Sequence, residues 1–349
     1  MKNANLALVL LGVLAVFVLG VTLQELRAVL LPFSVALLLS VIFEPVVVFL
    51  KARKFPTILS LVMVLLTFAL VLFLIGLLIY SSVGSFTEAW PNYETKLESM
   101  VSGMEAQLEQ WAVQAGVDWQ DLDVSDLFQA STVTSVVSSG VGSFINFVGN
   151  TFLVILFMLF MLAATGDLSV KVERAFPSEY AERIAHVIRN TSKQVRQYLV
   201  TKTLVSAGTG TLVFLILLIL GVDFPLLWGF LAFLLNFIPN IGSLVAVFFP
   251  FLLSLLQFDT LTRPVFVIVL LVSVQMVMGN VVEPRLMAFS LNLSPLLVLV
   301  SLIFWGWLWG ILGMILAVPL TATIKIIFEN IEPLRPVAVL MGGPISPRE

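Results

Sequence analysis

The sequence predicts an all-α integral membrane protein: a polytopic helical bundle of about six full spans plus two broken helical hairpins, with a candidate inverted repeat. Three observations lead there. Of 349 residues, 60% are hydrophobic and 11% charged, with a mean hydropathy of +1.09, against roughly a quarter charged in soluble domains. Apolar runs of about 18 residues or more, the length that crosses roughly 30 Å of hydrocarbon as a helix, recur along the chain. Lysine and arginine alternate between rich and poor connecting segments, as topology requires. Alternating barrel-type strands are absent from the sequence pattern, so helices must satisfy the backbone.

The first run, 6–23, lacks a small-residue cleavage site and exceeds a signal-peptide core, so it reads as a span. Runs 28–50 and 56–83 follow, and together 1–83 forms an N-terminal block of spans. Segment 84–142 carries Lys96 as its only base against nine acids, which places it outside the membrane on the extracytoplasmic side. After a predicted break at Trp90-Pro91, Leu97, Met100, Val101, Met104, Leu108, Trp111 and Ala115 recur at helical spacing. Span 143–165 leads into segment 166–203, whose seven bases mark it as cytoplasmic. There Tyr180, Ile184, Val187, Ile188, Val195 and Leu199 share one apolar face, with Ser178 a candidate cap. Its basic face suits a helix near the anionic inner leaflet.

Beyond 203 come two units, 204–258 and 259–329. Each has one span, 204–222 or 264–282, then an apolar tract, 224–258 or 295–329. Each tract would be roughly 50 Å long as one helix, too long for a single crossing, so each is read as a hairpin of shorter helices. "FPLLWGFLAFLLNFIPNIGSLVAVFFP" (224–250) aligns with "SPLLVLVSLIFWGWLWGILGMILAVP" (294–319), placing Asn240-Ile241 on Gly310-Ile311. The topology makes the copies inverted, an arrangement common in secondary transporters. The tail 330–349 returns to the cytoplasm, as does the N-terminus.

Two constellations carry candidate chemistry. In "NFIPNIG", Pro239 removes a backbone donor and Gly242 permits conformations a helix forbids, while Asn236 and Asn240 can satisfy the freed carbonyls or hold a polar solute. A hairpin turn capped by asparagines and a contribution to a transport site both fit. In "GNVVEPRLMAFSLNLSP", Asn280 and Glu283 precede the helix break at Pro284, with Arg285 just beyond. Ionisable groups at membrane depth usually line ion or substrate paths, which makes Glu283 a candidate coupling-ion carrier. A solvated interfacial Glu283–Arg285 pair is the alternative. The expectation uniting them is that Asn240 and Glu283 meet within the bilayer in one solute-sized wet pocket.

Other features carry less. Trp305, Trp307 and Trp309 suit an aromatic belt or packed tip. Asp118, Asp121, Asp123 and Asp126 lack a calcium-loop order, and His186 reads as a surface residue. "SAGTGT" (206–211) reads as small residues for close helix packing. There is no cysteine, and no enzyme motif, metal site, cofactor or nucleic-acid partner is expected. A channel remains as a further alternative, since broken helices also build filters.

The stretches "LWGFLAFLLNFIPNIGS", "GNVVEPRLM" and "SLIFWGWLWGILGMILAVPLTATIKI" resemble the autoinducer-2 exporter family over nearly the whole chain. That resemblance implies a secondary transporter of the bacterial inner membrane, a homo-oligomer, taken as a pentamer. Its implied cargo is autoinducer-2, a small polar polyhydroxylated signal moved outward in quorum sensing. Sodium/proton exchange within the same family is the alternative. By motif match, Asn236, Pro239, Asn240, Gly242, Asn280, Glu283, Pro284 and Arg285 become candidate substrate-binding or hinge residues. One departure stands out: Ala288-Phe289 follow "PRLM" where the family pattern carries a glycine.

Overall fold

A computed structural model of the chain describes residues 20–115, 151–164, 174–287 and 291–343, with isolated positions 12, 14, 18 and 171. Among these residues the regular structure is helical, with one isolated antiparallel bridge, Leu293 to Gly342. The helices are α1 (Arg27–Ala52), α2 (Thr57–Ala115), α3 (Thr151–Ala163), α4 (Ser178–Leu220), α5 (Pro225–Leu235), α6 (Ile241–Gln257) and α7 (Thr262–Val277). A π-helical turn, Met278–Val282, links α7 to α8 (Glu283–Leu286); α9 (Pro295–Glu329) and α10 (Arg335–Leu340) follow. Five stretches are long and apolar enough to cross a bilayer: Arg27–Ala52, Thr57–Leu78, Tyr180–Leu220, Thr262–Leu286 and Pro295–Glu329. The chain is thus a multi-pass helical membrane protein. The predicted spans 6–23 and 143–165 lie partly outside the described residues, as do Asp118 to Asp126 and Ala288-Phe289.

Two differences from the sequence reading have clear causes. Helix α2 continues through Pro91 without a break. A proline inside a helix costs about 3 kcal/mol, because it removes one hydrogen bond and crowds the preceding turn. Here Phe86, Trp90, Tyr93 and Leu97 bury one face of α2 in an apolar core around that site, and burial of large side chains at ~1.5–3 kcal/mol each outweighs the proline. On the face drawn from the sequence, Leu97 is buried and Met100 and Trp111 are exposed, while the side chains of Val101, Met104, Leu108 and Ala115 lie outside the described set.

The second difference lies in α4, which runs unbroken from Ser178 through the basic segment into the apolar run. It is one helix of 43 residues. Its buried stripe is Ala181, Ala185, Val195 and Leu199, while Tyr180 and Ile188 are exposed. Val195 and Leu199 of the predicted face are therefore buried and Ile184 and Val187 half-buried, while in the first turns the alanines face the interior, where small size lets neighbouring backbones come close.

By contacts the chain divides into two units: residues 1–69, 150–205 and 281–349, and residues 70–149 and 206–280. In the first, α1 packs along α3, with Phe33 edge-to-face on Phe157 at 5.6 Å and Val154, Met158 and Leu162 fully enclosed. Ser294 caps α9 by accepting the Leu297 amide at 3.2 Å, and Pro295 sits at the first helical position, where it loses no bond. In the second unit, the 86–97 face of α2, the end of α4 and helices α5 to α7 share one core that includes Val213, Leu217, Trp228, Leu253 and Leu271. Gly210 on α4 and Gly229 on α5 lie so close that a Cβ on Gly210 would sit 2.6 Å from the Gly229 carbonyl oxygen. The small residues of "SAGTGT" thus serve close helix packing. At one end of this core the Tyr93 hydroxyl donates to Asp223 Oδ2, and Gln257 brackets the α4–α5 turn by accepting the Asp223 amide and donating to the Gly221 carbonyl.

Candidate functional site

The turn between α5 and α6 is where the polar residues of "NFIPNIG" act. At 11 and 17 residues, α5 and α6 are about 16 and 25 Å long, each short of a full crossing. The chain reverses at Asn240, which takes φ 62° and ψ −55°, and the Ile241 amide donates to the Pro239 carbonyl at 2.7 Å. That is a γ-turn of the positive-φ hand, a strained conformation for any residue but glycine. Asparagine visits positive φ more readily than most side chains.

Two neighbours fix this turn. Gly242 is buried against the end of α5, and a Cβ there would lie 1.7 Å from the Leu235 carbonyl oxygen. No side chain fits without moving a backbone. Asn236 is buried, and its Nδ2 donates to Ser206 Oγ on α4 at 2.9 Å. The amide oxygen remains as an acceptor. Asn240 itself is exposed at the tip and makes no side-chain cap bond to α6.

Helix α9 repeats this plan. Gly310 interrupts it with φ 69° and ψ −147°, a region open only to glycine. Three residues on, a Cβ at Gly313 would meet the Trp305 carbonyl oxygen at 1.9 Å. Gly310 is the position that aligns with Asn240, so the two tracts break at matching points, each followed by a glycine pressed against the preceding helix. Around the second break Trp305 Nε1 donates to Thr321 Oγ1 at 3.1 Å, and the Trp305 ring packs at a 46° tilt against Trp309, centroids 4.9 Å apart. Trp307 stays exposed.

The charged constellation differs from its sequence reading. Glu283 opens α8 directly after the π turn that holds Asn280, and Pro284 supplies no amide to the carbonyls behind it. Asn280, Pro284 and Arg285 are exposed. The partner of Glu283 is Lys202 on α4: Nζ to Oε1 is 2.6 Å, with the lysine side chain 5% exposed and the carboxylate side chain 23%. Glu283 is therefore not in a solvated pair with Arg285. A second buried ammonium, Lys325, reaches Glu329 one turn further along α9 at 2.8 Å, where the carboxylate is 44% exposed. That pair lies at a helix end, where the carboxylate opens outward. The Lys202 pair joins residues far apart in sequence, with the ammonium buried and the carboxylate partly so.

Lys202 escapes sequence reading because it stands last among the bases of 166–203 and counts as a loop charge. The available signal was its immediate setting, "QYLVTKTLVSAG", in which the apolar run has already begun. Lys202 and Ser206, the partners of Glu283 and Asn236, stand four residues apart on α4. The candidate residues are spread over both units: Asn236, Pro239, Asn240, Gly242 and Asn280 in one, Glu283, Pro284 and Arg285 in the other.

Residues 8–332 match the family model described as AI-2E family transporter. A putative transport protein of Haemophilus influenzae is 32% identical over 344 residues, 98% of this chain and 98% of that one. The AI-2 transport protein TqsA of Escherichia coli is 32% identical over 344 residues, covering 97% of this chain and 96% of its own. A putative transport protein of Borreliella burgdorferi is 32% identical over 318 residues, 91% of this chain and 85% of that protein.

Proposed function

The chain belongs to the AI-2E transporter family, and from that premise we propose that it exports autoinducer-2, a small polar signalling molecule, across the bacterial inner membrane by alternating access. Both termini are cytoplasmic in this reading, and the protein works as a homo-oligomer, a pentamer, in quorum sensing. Similarity to a named AI-2 transport protein supports the cargo. The observation that carries the mechanism is the Lys202–Glu283 pair, a buried ammonium on a partly buried carboxylate. Two charges cost several kcal/mol each to remove from water, and a hydrophobic pair of equal volume would serve stability as well. Charges kept in such a place usually serve transport.

The interrupted tips supply the rest of the chemistry. The side-chain amides of Asn236 and Asn240 at the first tip are donors and acceptors suited to a polyhydroxylated solute. Strain held at the γ-turn lets the tip adopt a second conformation at small net cost. Movement of the broken hairpins opens the path to each side in turn. Glu283 couples that movement by separating from and returning to its cationic partner.

The test is accumulation of labelled autoinducer-2 by whole cells. Deletion of the gene raises the internal signal, and the wild-type gene, but not E283Q, restores the lower level. Unchanged accumulation on deletion refutes export as the task.

A further inference from the structure

We propose that the Lys202 ammonium is a built-in cation occupying the place a free coupling ion would take at Glu283, so that this carrier works without sodium. The inference rests on the reading of Glu283 as the coupling carboxylate. It starts from an electrostatic problem. Glu283 stands in the last turn of the apolar stretch Thr262–Leu286, where helix carbonyls carry partial negative charge. A carboxylate there adds to that charge. Directly after the π turn at Met278–Val282, Pro284 has no amide to offer the carbonyls of the preceding turn. Carboxylate plus freed carbonyls at a helix end is the oxygen set with which transporters bind sodium.

In this chain the set is already answered. Lys202 Nζ lies 2.6 Å from Glu283 Oε1, the distance of a charge-assisted bond, and its side chain is 5% exposed. The two residues come from different helices, so the fold brings the ammonium there. Sodium would have to displace a tethered cation and leave it buried without a partner, a penalty on the order of 10²–10³-fold in affinity. The Lys325–Glu329 pair offers no such site, because its carboxylate opens to the outside.

The experiment is thermal unfolding of the purified full chain in detergent, followed by size-exclusion chromatography, in sodium chloride against choline chloride at equal ionic strength. Wild-type protein shows equal Tm in both salts. K202A and K202T, which empty the ammonium's place while keeping Glu283, gain a sodium-specific rise of about 2–4 °C, and K202A/E283Q loses it. A sodium-specific rise in the wild-type protein overturns the proposal, even if no Lys202 variant folds. So does the absence of any rise in monodisperse K202A and K202T. Because this readout needs no cargo, it fails independently of export: a chain that moves another solute still gives the expected salt response.

Discussion

Replacing Gly242 by alanine perturbs the first hairpin by one methyl group. The added Cβ would stand 1.7 Å from the Leu235 carbonyl oxygen and 2.6 Å from its carbonyl carbon, where real contacts do not fall below 3.0 Å. Relief requires the end of α5 and the start of α6 to part by more than about 1 Å, since both clashing atoms are backbone. That lies at the upper end of the ~1–3 kcal/mol typical of overpacking, or a fall in Tm of about 6–12 °C for a domain of 150–250 residues. Thermal unfolding in detergent reads it directly. G313A, whose Cβ would meet the Trp305 oxygen at 1.9 Å, behaves the same way, whereas G279A, with nothing within 4 Å, stays within a degree or two of wild type. If G242A and G313A melt with G279A, the helices do not meet as described, and the claim of two matched breaks falls.

Other expectations follow from the same geometry. N240G relieves the positive φ and unfolds no earlier than wild type, while N240A costs about 1–2 kcal/mol; equal Tm values would remove the γ-turn strain. N236A leaves the buried Ser206 hydroxyl without its donor and costs about 1–3 kcal/mol. Adding S206A costs less than the two changes summed, and strict additivity in that double-mutant cycle would count against the bond. The Tyr93 phenol is raised above its ordinary 10.0, first by burial and then by Asp223. The folded state therefore holds its proton longer than the unfolded state, so stability is fully present below pH ~10 and declines above it. Y93F flattens the fall of Tm between about pH 9.5 and 11, and an unchanged slope would show that Tyr93 is not linked to folding.

Much of this was legible in the sequence, because the bilayer allows few solutions. Long apolar runs admit only helices, and an apolar tract of 35 residues interrupted by Asn, Pro and Gly must turn back. The second tract breaks at Gly310, the position the sequence aligns with Asn240, although α9 has no proline near it; both positions take positive φ. What escaped depends on tertiary packing. Pro91 reads as a helix end, but the burial of Phe86, Trp90, Tyr93 and Leu97 holds α2 together across it. On α4 the predicted Val195 and Leu199 are buried, but in the first turns the interior positions are Ala181 and Ala185, whose small size gives a weak hydropathy signal beside Tyr180 and Ile188. Lys202 needs a partner 81 positions away, and charge counting by segment assigns it to water. Arg285, closer in sequence to Glu283, was the natural partner on paper and is exposed in the fold.

Export through a carrier that depends on the Lys202–Glu283 pair is tested most directly by efflux of labelled autoinducer-2 from liposomes holding the purified protein. The account predicts saturable efflux in wild-type protein, undiminished when choline replaces sodium, and a loss of tenfold or more in E283Q. Efflux no faster than from protein-free liposomes, or E283Q protein that transports like wild type, would contradict it.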